Sequence, residues 1–483
     1  MAFVFVLWRI DVPSFWRDES VSVLAATMSL DELWELLGHI DTVHALYYLM
    51  LRPFAAFGGE FAVRLPSALA VAGATFGVAA IGRKLATPRT GRWAGPLAGL
   101  VYATLPMVSR YGQEARSYAL VSAVAVAATW VLLGERRSRY VGYGLLVTLL
   151  GLFHLYALLL LPAHAVTVVR RRGEILPWLA SVAGAGVLLT PLVLVASGQR
   201  DEQLFWLKVP GLPQLGEFGV EISGGPVSWE ASALPPIFLA LLLLLALLGV
   251  WYGSRIRLGA GTGAGTARTA PGTVPEEAEE PERSGGTKGT GTGRGARAVP
   301  PSLTAVALPW AILPVLLSFA ISQVYPVYNP RYVLFVLPAL ALLAGAGLAV
   351  ARLIPLSLAV LAALVALSMS AQLTIREPAN RPDDLRGMAA ELGVRERPGD
   401  AVLYMPERFR LFVAVYGEPY RDLRPFEQAT DRVWLVSRRV LDTDWQDDPR
   451  LRELKRSFRK AGPTRISGAV RITLYLRRIP SKA

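Results

Sequence analysis

Long apolar runs separated by clusters of arginine are what most constrains this chain. Runs near 61–82, 93–109, 118–134, 176–197, 234–252, 303–324, 332–350 and 356–369 approach or exceed the roughly 20 residues that an α-helix needs to cross a bilayer. Hydrocarbon offers no partner to a backbone N–H or C=O, so runs of this kind must fold as helices. Composition agrees: 53% of the 483 residues are hydrophobic and the mean hydropathy is +0.40, which excludes a soluble globular protein. Cysteine is absent. Disulfide staples, zinc–thiolate centres and thiol nucleophiles are therefore excluded, and carboxylates, imidazoles and hydroxyls are left for any chemistry.

The arginines set the topology. The stretch 140–169 is too long for one helix and has His154-Leu155-Tyr156 at its centre, so two short spans meeting at an extracytoplasmic turn fit it better than one. With these and the apolar start, about eleven spans are expected. Arg83, Lys84, Arg89 and Arg92, then Arg136, Arg137 and Arg139, then Arg170 to Arg172, then Arg255 and Arg257 all fall on the cytoplasmic side of that arrangement, as the positive-inside rule requires. The net charge of +13 is thus a topology signal, and nucleic acid is not an expected partner. The first span is truncated: Ala2 to Trp8 lacks about a dozen of the apolar residues needed to cross. A start further upstream is expected in preference to a signal peptide, because no basic segment or small-residue cleavage site accompanies it.

Residues 1–375 form the membrane domain in this reading. It contains a first extracytoplasmic loop at 11–60 and a Gly-, Thr- and Pro-rich cytoplasmic loop at 254–302 that should be disordered. Residues 380–483 turn polar. Helical patterns at 383–392, 408–416 and 449–459 alternate with strand-like 400–404, 432–436 and 470–476, which predicts a small soluble α/β domain outside the membrane. No glycine-rich phosphate loop is found there.

The chemistry-bearing residues gather on the outer side. Asp18 and Glu19 are adjacent carboxylates beside apolar sequence, costly to bury in hydrocarbon, and so belong at a membrane surface or in a wet cavity. Asp41, His44, Tyr47, Tyr48, Arg110, Glu114, Arg116 and Arg331 share their side. Each has a plain structural alternative: the arginines can snorkel at helix ends, Glu114 and Arg116 can pair locally, and Tyr47, Tyr48, Trp16 and Trp34 can form an interfacial belt. Residues 31–40, around Trp34, form an amphipathic stretch suited to the membrane plane. His44 and His154, with Glu19 or Asp41, are candidate ligands for a divalent metal such as zinc, manganese or magnesium; His39 and His164 read as packing residues.

Several segments together resemble a known family. They are Phe15-Trp16-Arg17-Asp18-Glu19-Ser20, Asp41 with His44-Ala45-Leu46-Tyr47-Tyr48, Arg64-Leu65-Pro66-Ser67-Ala68-Leu69, Gly112-Gln113-Glu114-Ala115-Arg116-Ser117-Tyr118-Ala119-Leu120, and Asn329-Pro330-Arg331-Tyr332 with Pro338. In order and spacing they resemble the protein O-mannosyltransferase and aminoarabinose-transferase branch of the GT-C glycosyltransferases. The family run after the histidine carries prolines where Ala45 stands here, and the tail does not share the likeness. The resemblance implies a GT-C fold and a polyprenyl-phosphate sugar as donor. It places an acidic residue of the first outer loop at the catalytic centre: Asp18, with Glu19 second. It also implies a glycosyltransferase that moves mannose or another hexose to an extracytoplasmic protein, cell-wall glycan or glycolipid; high Ala, Gly, Arg and Leu usage, compatible with a GC-rich bacterial genome, points to the plasma membrane with the active face outward. A lipid-linked sugar transporter or flippase and a non-catalytic membrane anchor are the competing readings.

Overall fold

Apolar helices dominate the computed structural model, which describes residues 2–87, 91–171, 173–199, 207–260, 301–350, 353–378, 380–407, 409–416, 423–438 and 447–478. Residues 261–300, most of the expected disordered loop, lie outside the described residues, as do Arg89 and Arg172 and the side chains of Arg255 and Arg257. Among the described residues, six helices are long and apolar enough to cross a membrane: Gly59–Lys84, Ile175–Gly198, Leu234–Tyr252, Leu303–Ser322, Pro330–Ala349 and Ile354–Thr374. Three shorter apolar helices, Tyr118–Leu132, Arg139–Phe153 and Leu155–Val169, stand beside them. The chain is a multi-pass membrane protein.

Two of the expected spans take a different form. The run at 93–109 is broken into Ala94–Thr104 and Pro106–Gly112. Leu105 turns extended (φ −63°, ψ 121°) because the residue before a proline is pushed out of the α region. Ala2–Leu7 is a single short helix against Gly59–Lys84. The long stretch at 140–169 breaks at His154, whose backbone is extended (φ −168°, ψ 111°).

Basic residues collect at the ends of the helices away from this break. Lys84 lies over the Trp130 ring at 4.8 Å, Arg139 pairs with Glu174 at 2.6 Å, and Arg171 donates to the carbonyls of Leu132 and Gly134. The opposite ends, at Arg64, Tyr118, His154 and Arg331, surround the candidate site.

The core is built around Pro330–Ala349, which is almost wholly buried. It packs on Leu234–Ala260 so closely that a Cβ on Gly347 would lie 2.0 Å from the Leu245 carbonyl oxygen, and one on Gly249 only 2.1 Å from that of Leu343. Lipid supplies little hydrophobic drive between helices, so backbone approach at small residues supplies the packing instead.

The described residues of the tail form one sheet of six strands: β1 (Ala401–Met405), β2 (Arg424–Pro425), β3 (Arg432–Arg438), β4 (Phe458–Lys460), β5 (Arg465–Ser467) and β6 (Val470–Arg477). The order is β2-β1-β3-β6-β4 with β5 also on β6. β1 runs parallel to β2 and β3, while β6 is antiparallel to β3, β4 and β5. Alternation along β3 sends Trp434 and Val436 to one face, under Leu385, Met388 and Leu392, and Val433 and Leu435 to the other, with Leu451 and Leu454. The helices at Leu385–Gly393 and Pro449–Ser457 thus cover opposite faces. The expected helix at 449–459 ends early, at Ser457, and Phe458–Lys460 pairs as β4; β2 and β5, two and three residues long, are too short to leave an alternation signal.

This unit is fastened to the first loop. The Tyr416 hydroxyl donates to Glu60 at 2.6 Å and accepts from the Phe15 N–H at 2.8 Å. Arg386 donates to the carbonyls of Asp11 and Val12 and pairs with Glu60. In the same loop Leu30–His39 carries a Ser29–Glu32 capping box, buries Leu33 and Leu37, and leaves Leu30 and Trp34 exposed, as an interfacial helix should.

Candidate active site

Helix Arg17–Thr27 begins with Asp18 and Glu19 in its first turn, where the partial positive charge of the helix start favours carboxylates. Consecutive helical residues point about 100° apart, so the two acids cannot face the same surroundings. Asp18 faces a cavity of about 1230 Å³. Its Oδ2 lies 3.3 Å from Arg331 Nη1 and its Oδ1 3.8 Å from Arg17 Nε. Glu19 points the other way and is fully buried. It receives Arg64 Nε and Nη2, each at 2.8 Å, and the Ala115 N–H at 2.9 Å. Glu19, expected as a second catalytic acid, is occupied by the bidentate pair and the amide, and it does not line the cavity.

Arginines and aromatic rings make up much of the wall. Arg17, Arg110, Arg116 and Arg331 all line the cavity. Arg116 donates from Nη2 to His44 Nε2 at 3.0 Å and from Nη1 toward the Asp18 carbonyl and Ser22 Oγ, both at 3.4 Å. Arg331 lies over the rings of Trp16 and Tyr332 at 5.6 and 5.5 Å, which holds a cation without neutralising it. Tyr332 in turn meets His154 at 5.0 Å and Tyr156 at 5.3 Å, with Tyr118 at 6.5 Å.

Glu114 lines the cavity but is fully buried, held by Arg381 at 2.7 Å with Arg110 at 3.6 Å. Burial raises the Glu114 carboxyl above its usual range, and the charges of Arg381 and Arg110 oppose that rise. Asp41 sits at the rim in a left-handed conformation (φ 62°) and accepts from the Tyr48 hydroxyl at 3.0 Å. Burial raises its carboxyl, with Arg116 opposing. Tyr47 and Tyr48 are buried behind the wall and so support the site without lining it.

Of the two histidines expected as ligands of a divalent cation, His44 is already engaged. An arginine can only donate, so His44 Nε2 spends its lone pair on Arg116. Burial and the charges of Arg116, His154 and Arg331 depress the His44 pKa well below its usual value. Among the described residues no group of three or more His, Asp or Glu side chains is placed to hold a metal. His44 and His154 both line the cavity beside these arginines, and His154 Nδ1 has no hydrogen-bond partner among the described residues.

The wall also holds residues that the sequence does not mark as site residues: Arg17, Glu217, Glu221, Tyr118, Tyr156 and Tyr332, and from the tail Pro382, Pro406, Phe409 and Phe412. Arg64 was detectable, since a lone charge in the run 61–82 must find a buried partner. Arg381, between Asn380 and Pro382, carries no local signal.

No protein-family profile matches the sequence, and a search of curated proteins finds no match. Among solved structures, the chain is similar to the crystal structure of ArnT from Cupriavidus metallidurans in the apo state. The TM-score is 0.55 at 14% identity, over 98% of this chain and 96% of that one. A second crystal structure of that ArnT, bound to undecaprenyl phosphate, is similar over the same shares with a TM-score of 0.52 and 14% identity. The fold is therefore of the ArnT-like GT-C type, an assembly of apolar helices with a small C-terminal sheet region.

Proposed function

We propose that this protein is a GT-C glycosyltransferase that moves a sugar, mannose or another hexose, from a polyprenyl-phosphate donor to an acceptor on the outer face of the plasma membrane. The observation that carries the reading is the placement of the Asp18 carboxylate 3.3 Å from Arg331, in one cavity with Arg17, Arg110 and Arg116. A lipid phosphate is already a good leaving group. What the enzyme must add is activation of the acceptor, alignment, and stabilisation of the departing charge. The ArnT structure with undecaprenyl phosphate supports a ligand of this chemistry in the fold.

In the proposed step Asp18 takes the proton of the acceptor hydroxyl as its oxygen attacks the anomeric carbon from the face opposite the phosphate. The bond from that carbon to the phosphate oxygen breaks, its electron pair leaves on the polyprenyl phosphate, and the configuration inverts. Arg331, Arg116 and Arg110 hold the phosphate oxygens, a task for which the planar guanidinium suits better than an ammonium. His44, kept neutral, accepts from Arg116 and orients it. The aromatic wall of Tyr118, Tyr156 and Tyr332 offers apolar faces to a sugar ring. The acceptor is a protein, a cell-wall glycan or a glycolipid.

The test is transfer from radiolabelled polyprenyl-phosphate mannose, with other lipid-linked hexoses in parallel, in membranes carrying equal amounts of wild type or Asp18→Asn. Transfer that collapses in the variant supports the reading. Equal transfer by both removes Asp18 as base, and absence of transfer from every donor tried returns the transporter reading to first place.

A further inference from the structure

The segment from 381 to 383 joins the membrane helices to the sheet unit and runs beside the cavity: Pro382 lines it, and Arg381 and Asp383 pair with residues that do. Arg381 is almost completely buried and donates from Nη1 to Glu114 Oε1 at 2.7 Å and from Nη2 to the Gln113 carbonyl at 3.0 Å. Pro382 lines the cavity, and Asp383 lies 3.7 Å from Arg17. Glu114 is the only acid shared by a tail arginine and a cavity arginine among the described ion pairs: its Oε1 also faces Arg110 Nε at 3.6 Å. That longer distance is an ion contact and not a hydrogen bond. Arg110 Nε makes no hydrogen bond among the described residues, although Arg110 lines the cavity.

We propose that Arg381 is a positioning residue of the transferase site, which by occupying Glu114 keeps Arg110 available to the donor phosphate. A fully buried carboxylate must be compensated. With Arg381 present, the close charge-assisted bond goes to the tail and Arg110 keeps only the looser contact. Without it, Glu114 draws Arg110 into a direct pair, and the cavity loses one cation toward its anionic ligand. The tail thus takes part in binding the donor phosphate through Glu114, without touching it. This inference rests on the polyprenyl-phosphate reading.

Undecaprenyl phosphate is the probe, titrated onto the detergent-solubilised full chain so that the readout does not depend on turnover. Arg381→Gln is expected to weaken binding about tenfold. In a Glu114→Gln background the same substitution is expected to change nothing, because no stranded carboxylate remains to capture Arg110. Arg381→Lys, which keeps the charge, should bind like wild type. Equal loss in both backgrounds, or a tenfold loss in Arg381→Lys, overturns the proposal and reduces Arg381 to an anchor of the tail. Should Arg381→Gln not fold, the lysine variant and the comparison of Glu114→Gln with the double variant carry the test. Wild type that binds undecaprenyl phosphate, with Arg381→Gln binding equally well, overturns this inference alone. Wild type that does not bind it overturns the functional reading as well.

Discussion

Asp18 and Glu19 are neighbours in sequence, carry the same charge and both meet arginine, yet they sit in opposite kinds of site. Around Glu19 every donor is satisfied within the protein: Arg64 gives two bonds to the acid and the rest to the carbonyls of Ile10, Pro13 and Ser14. Around Asp18 the geometry is looser, at 3.3 and 3.8 Å, and both partners face open space. A closed pair of this kind fixes the shape of the first loop. An open one leaves donors and acceptors for something else to use.

The comparison breaks first at Asp18. Asp18→Asn should lower transfer by about a thousandfold, within the range for a lost general base, with the thermal unfolding midpoint unchanged; a large drop in that midpoint would make Asp18 as structural as its neighbour. Next comes the closed side. Arg64→Ala strands a buried carboxylate and should cost about 3–5 kcal/mol of stability, measured by thermal unfolding in detergent, and a stable but inactive Arg64→Ala would move Glu19 back toward catalysis.

Smaller effects sharpen the open side. Arg331→Lys keeps the charge but loses the fork that reaches phosphate and Asp18 together, and should raise the donor KM about tenfold with little change in kcat. For His44 the sign follows from its depressed pKa: the unfolded chain takes up a proton near 6.5, while the folded one resists it. Stability conferred by neutral His44 is therefore complete above pH 6.5 and falls as the pH drops below it, by less than about 1.4 kcal/mol per pH unit. His44→Asn should flatten that part of the stability profile. The smallest expected effect is that of EDTA, which should leave transfer unchanged; loss of activity restored by zinc would make His44 and His154 ligands after all.

Much of the membrane architecture was legible in the sequence because length and apolarity act locally. The break at His154 shows this: a polar residue in the middle of a run too long for one helix. The division of labour between Asp18 and Glu19 was not legible, since it is decided by Arg64, 45 positions from Glu19, and by the backbone amide of Ala115. The Pro-induced turn at Leu105 changed an expected span into two pieces. The tail's main strands followed from alternation, whereas its two shortest, β2 and β5, depend on partners that no local pattern announces.

One consequence concerns the order in which the chain is made. Asp18 and Glu114 leave the ribosome early, but Arg331, Arg381, Phe409 and Phe412 come from the far side of the sequence, with 313 positions between Asp18 and Arg331 and 267 between Glu114 and Arg381. A nascent or prematurely terminated chain therefore holds its acids without their arginines and an unroofed cavity. Both ion pairs therefore close only after the segments that carry Arg331 and Arg381 have been made and have folded back onto the first loop.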